Sequence, residues 1–148
     1  MDANTDNRTI TQRAYDDAVK CDVCPLFKGT ENLIELMRLL NSTQGIEFML
    51  NNPNYPIETL RLAKPYNVER FGVYIDAGDI VLHNPQRKIL LIGNTNATIR
   101  IDEAHRCRVG IIKGAKADIT ACNYACVFVS AENKSQYTTH QYDRAIIK

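Results

Sequence analysis

From Phe71 to the end of the chain, apolar and polar residues alternate, and the alternation returns at a fixed interval. This feature constrains the fold more than any other. A period of two is the mark of a strand with one face turned inward. With Phe71, Val73 and Ile75 as inward residues, a step of eighteen leads to Ile89, Leu91 and Gly93, then to Cys107, Val109 and Ile111. The same step reaches Ala125, Val127 and Val129, and finally Asp143, Ala145 and Ile147. A second, weaker column runs through Val81, Ile99, Ala117 and Ser135. Recurrence at a fixed step signals stacked units, none of which buries its apolar side alone. Small residues such as Ala97, Ala115 and Ala117 suit the thin interior of such a coil.

The first 70 residues read differently. A polar tail of about eight residues precedes a helical stretch, "TITQRAYDDAVK", with Ile10, Ala14, Tyr15 and Ala18 on one side. "CDVCPLFKG" interrupts it, since Pro25 and Gly29 both break helices. "TENLIELMRLL" follows as the clearest helix, with Thr30 as its expected N-cap and apolar residues around much of its circumference. "GIEFMLNN" and "PIETLRLAK" predict two shorter helices, the second opened by Pro56 in its first turn. The expectation is therefore α+β: a helical cap over residues 1–70 and a parallel β-solenoid of about four 18-residue coils over 71–148. The two would share a core and could form one domain. An antiparallel meander or sandwich with the same cap is the alternative, because strands about nine residues apart also suit hairpins. Few of the turns carry the Asn-Gly or Asp-Gly pairs that tight hairpins favour, and this scarcity together with the exactness of the eighteen-residue repeat tips the choice toward the solenoid.

The repeat over 71–148 resembles the short-coil parallel β-solenoids of bactofilin-type scaffold proteins and of β-helical adhesin or phage modules. What the resemblance implies is a stacked, non-enzymatic scaffold. The helical part resembles no characterised family, and the handedness of the coil stays open.

Charge excludes little but weights the partners. The 148 residues carry a formal net charge of +1. Arg87, Arg100, Arg106, Arg108, Lys113 and Lys116 tint the middle coils, yet acidic residues are interspersed, so a solvated face is expected and not a nucleic-acid surface. No apolar run reaches membrane-spanning length, and "MDANTDNRTITQR" lacks the apolar core of a secretory signal. The expectation is a cytoplasmic protein with reduced thiols, free of nucleic acid and membrane, and with no cofactor.

The candidate chemical groups each meet a simpler reading. Cys21, Cys24, Cys122 and Cys126 have a spacing that zinc could use only if all four thiolates converged. Buried thiols acting as small apolar groups are the preferred reading. A redox role for "CDVCP" wants a preceding strand, where a helix is expected. His105 stands near Cys107, but an inward thiol in an apolar column is inert. Asp76 and Asp79 flank Gly78 in a segment that reads as a turn. No catalytic residues are assigned, and no enzyme is expected.

The surfaces say more. On the outward side of the main column, Ile92, Phe128 and Ile146 share a register where water would favour polar residues. Either the helical segment or another chain covers that ridge. The final "DRAIIK" is an alternating strand that ends without a capping helix, so Ala145 and Ile147 are expected to meet a partner. The reading is a scaffold or interaction protein that self-associates, with Ile92, Phe128, Ala145, Ile146 and Ile147 at its interface. The alternative is an adaptor or inhibitor that captures another protein or a small ligand between cap and solenoid.

Overall fold

The structure, a computed structural model, describes residues 3–21 and 27–148, with side chains from Ile10 onward. The chain divides into two units, 1–71 and 72–148.

In the first unit, α1 spans Ala3–Val19, α2 Leu33–Leu40, α3 Thr43–Asn51 and α4 Ile57–Arg61. Two short 3₁₀ turns, Lys64–Tyr66 and Val68–Phe71, complete it. The segment taken for a polar tail is helical from Ala3. Its uniform polarity hid this, because extending an existing helix costs little once the turn behind it is formed. Asn32, not Thr30, caps α2: its side chain accepts from Glu35 N–H at 2.8 Å. Glu31 instead closes the preceding turn, its two carboxylate oxygens accepting from the Lys28 and Gly29 amides at 2.7 and 2.9 Å. The buried side of α2 is a stripe of Leu33, Leu36, Met37 and Leu40, narrower than its composition suggested, with Ile34 exposed. Ser42 caps α3 through Gly45 N–H at 3.0 Å. Pro56 sits at the cap of α4, one position before its first turn.

The second unit is a two-sheet parallel β-solenoid. Its strands are β1 Val73–Ile75, β2 Gly78–His83, β3 Lys88–Ile92, β4 Thr95–Ile101, β5 Arg106–Ile112, β6 Lys116–Ala121, β7 Cys126–Ala131, β8 Tyr137–Gln141 and β9 Ile146–Ile147. Odd strands form one sheet in the order β1-β3-β5-β7-β9, even strands the other in the order β2-β4-β6-β8. Every pairing is parallel, which rules out the meander.

The repeat length differs from the sequence reading. Ile89 pairs with Val109 and Val109 with Val129, a step of 20 residues, and Ala97 pairs with Ala117 and Ala117 with Tyr137 at the same step. The first coil is shorter, since Val73 pairs with Leu90 and Gly78 with Thr95, a step of 17. Strand lengths explain the difference: Ile101 at the end of β4 and Arg106 and Cys107 at the start of β5 have no ladder counterpart in β2 or β3, which lengthens the coil by three residues around a turn of the same length. On one edge the turns are all alike, at 84–87, 102–105, 122–125 and 142–145. On the other they lengthen along the chain, at 76–77, 93–94, 113–115 and 132–136.

The parity of the step determines which side chains face inward. Eighteen and twenty are both even, so the inward residues from Ile89 onward are those the alternation picks out. Seventeen is odd, so β1 and β2 are inverted against that reading. Tyr74, not Val73 or Ile75, joins the interior, and Ile80 and Leu82 pack there while Val81 is 79% exposed. Gly93 and Asp143, the two exceptions in the apolar column, are turn residues with φ of 68° and 57°. The interior is then a set of short stacks: Tyr74–Leu91–Ile111–Ala131, Ile89–Val109–Val129 and Cys107–Val127–Ile147 from one sheet, and Ile80–Ala97–Ala117–Tyr137 and Leu82–Ile99–Ile119 from the other.

Candidate interaction surface

Where coils stack, each turn must satisfy its own backbone, and here side chains of one coil serve the next. Asn84 Oδ1 accepts from Asp102 N–H at 3.0 Å while its Nδ2 donates to Asp102 Oδ1 at 2.9 Å. Asn123 Nδ2 donates to the Asp102 carbonyl, and Asn123 N–H donates to Asp143 Oδ2 at 3.3 Å. Asn84, Asn123 and Asp143 hold φ values of 46°, 59° and 57°, which short Asn and Asp side chains tolerate. On the other edge, Asp76 Oδ1 accepts from Asn94 N–H at 2.8 Å, while Asp79, which lies in β2 and not in the turn, accepts through Oδ1 from Nδ2 of its ladder partner Asn96 at 3.3 Å. The Asp76 and Asp79 carboxylates thus serve the coil beside them. Buried Thr95 and Gln136 do the same from inside: Thr95 Oγ1 accepts from Ala77 N–H at 3.0 Å, and Gln136 Nε2 donates to the Ala115 carbonyl at 3.2 Å.

Asp102 is the most perturbed acid. Hydrogen bonds from Asn84 and then His83, whose Nε2 lies 2.7 Å from Oδ2, with a further one from Arg100, hold its pKa down to about 2. The group is an edge brace, with no nucleophile among its partners.

Cys107 is fully buried in its stack, and burial raises its thiol to about 11. His105 Nε2 lies 3.1 Å from the Pro85 carbonyl and does not activate it. Cys21, Cys122 and Cys126 are free and half-buried, while Cys24 lies outside the described residues. Among the described residues, no three His, Cys, Asp or Glu side chains come together as metal ligands. The helical unit contains an apolar cavity of about 70 Å³ among Ala14, Met37, Phe48, Met49, Leu60 and Ala63. That is about half the ~150 Å³ that accommodates benzene, and fits imperfect packing better than a ligand site.

What stands out is where the solenoid leaves apolar surface. Its exposed large apolar residues among those described are Val81, Tyr124, Phe128, Tyr142 and Ile146. All but Val81 lie in the last two coils. Phe128 (37% exposed) and Ile146 (45%) share the outward face of β7 and β9, with Lys148 Nζ 5.8 Å from the Phe128 ring. Tyr124 and Tyr142 occupy successive turns of one edge, and the Arg144 guanidinium lies 6.0 Å from the Tyr124 ring. Of the other residues the sequence singled out, Ala145 is buried, Ile147 packs partly against the interior, and Ile92 is fully buried. The sequence reading missed Tyr124 and Tyr142. Their position in a polar turn was the available signal.

The last coil also changes character inward. At the positions stacked on Ile119 and Ala121 it carries Thr139 and Gln141. Both are exposed, and Gln141 Oε1 accepts from Ile147 N–H at 3.0 Å across the coil. β8 forms the edge of its sheet, with Thr138–Gln141 exposed.

These features define the class: a short parallel two-sheet β-solenoid preceded by a helical unit. Comparison with family models, curated proteins and solved structures yields no match for this chain. Among the described residues no helix is long and apolar enough to cross a membrane.

Proposed function

We propose that the protein is a non-enzymatic scaffold that associates with itself through the last coils of its solenoid. The observation that carries this reading is the gathering of Tyr124, Phe128, Tyr142 and Ile146 beside an open sheet edge. Exposed apolar groups concentrated in one region favour association, and an open strand edge is a template for another chain. The resemblance to bactofilin-type scaffolds points the same way. In this reading Phe128 and Ile146 supply a side contact, and Ala145 and Ile147 the end of the interior. Multi-angle light scattering over a range of concentrations tests it. Wild type should exceed monomer mass, and a folded Phe128→Asp/Ile146→Asp variant should shift toward monomer. A wild-type chain that stays monomeric throughout would end the proposal.

A further inference from the structure

We infer that two copies join tail to tail, β8 against β8 in antiparallel register about a twofold axis through Thr139; this rests on the self-association proposed above. The backbone supplies the first argument. Tyr142 N–H donates to the Ala121 carbonyl of β6 at 2.9 Å. N–H and C=O directions alternate along a strand, so His140 and Thr138 also turn toward β6. Tyr137, Thr139 and Gln141 therefore present their N–H and C=O groups to the open side. Antiparallel pairing centred on Thr139 sets Thr139 opposite its own copy and Tyr137 opposite Gln141, and each such pair exchanges both backbone hydrogen bonds.

Side-chain chemistry selects the occupant. The other open edge of this sheet is β2, whose inward residues Ile80 and Leu82 are apolar. Head-to-tail stacking of β2 on β8 would set the Thr139 hydroxyl against Leu82, burying a polar group without a partner. Tail-to-tail stacking sets Thr139 on Thr139 and the Tyr137 phenol beside Gln141, pairs that hydrogen-bond across strands. Thr138 and His140 face each other on the outer side, so no two fixed charges of β8 are opposed. A twofold contact also closes on itself, whereas head-to-tail addition would propagate into filaments.

Sedimentation equilibrium on the full chain separates the outcomes. Thr139→Pro removes the Thr139 hydroxyl and an N–H that faces away from β6, and proline is tolerated on edge strands. It should keep the wild-type circular dichroism and weaken the dimer roughly tenfold or more, by loss of its central pair. Val81→Pro removes the corresponding outward N–H of β2, since Asn84 N–H, three residues on, bonds the Arg100 carbonyl of β4. It should leave the dimer intact. Association lost with Val81→Pro but kept with Thr139→Pro would overturn the tail-to-tail arrangement while leaving self-association standing. A monomeric wild type would overturn both. Should Thr139→Pro fail to fold, Thr139→Cys in a background lacking Cys21, Cys24, Cys122 and Cys126 decides: mild oxidation should give a covalent dimer that the background alone does not form, and its absence contradicts the register.

Discussion

Single residues in this molecule act mostly as braces between coils or as close contacts within a turn. Asp102 is the clearest brace. Its folded pKa lies below the usual carboxylate range, so the charged form is favoured by folding. The stability it contributes is present above its unfolded pKa, near 4, and is lost as pH falls toward about 2. Denaturant titrations at stepped pH should show wild type losing stability across that window faster than Asp102→Asn; parallel curves would remove Asp102 from this role. In the helical unit, Gly45 permits the tight α2–α3 turn. An added Cβ would lie 2.2 Å from the Leu39 carbonyl oxygen and 2.5 Å from that of Leu40, contacts the backbone cannot easily yield. Gly45→Ala should cost about 1–3 kcal/mol in urea unfolding. Cys107 should resist thiol reagents until the chain unfolds, since burial keeps it protonated, whereas half-buried Cys122 and Cys126 should label in the native state.

At the scale of elements, the alternation and its recurrence were legible because each strand has one dry face and each coil repeats that demand. Parallel stacking and the inward residues from Ile89 to Val129 followed from this. The repeat length did not. It depends on where each strand stops, which the alternation does not mark: β4 and β5 carry Ile101, Arg106 and Cys107, three residues without ladder counterparts in β2 or β3. The inversion of β1 and β2 was hidden for the same reason, since one odd-length coil exchanges the two faces: Val73 and Ile75 are buried, but on the face away from the interior stacks, and Val81 is exposed. Their true roles can be separated by experiment. Val81→Ala, on an exposed side chain, should change stability by no more than about 0.5 kcal/mol, while Ile99→Ala in the interior stack should cost about 2–5 kcal/mol. The start of α1 was equally obscure, because a helix that is polar all round leaves no period to read. Of the candidate surface, Phe128, Ile146 and the terminal strand were visible as outward apolar positions. The open edge of β8 emerged only once the sheets were assembled, since it depends on which strand lacks a neighbour.

For the whole molecule, a stack of coils divides its surface into flanks and ends. The flanks here are closed by the turn ladders of Asn84, Asp102, Asn123 and Asp143. The last coil combines polar inward residues with β8 and β9 as the outermost strands of their sheets among the described residues, and the proposed association depends on that arrangement. Its whole arrangement rests on the coils lying parallel in a 20-residue register. Paired cysteines introduced in a background lacking Cys21, Cys24, Cys122 and Cys126 test this directly. Thr98 pairs with Asp118 across β4 and β6, whereas an 18-residue repeat would place Thr98 beside Lys116. Thr98→Cys/Asp118→Cys should close an intramolecular disulfide under mild oxidation, and Thr98→Cys/Lys116→Cys should not. The opposite pattern, or closure of neither pair, would contradict the stacked register.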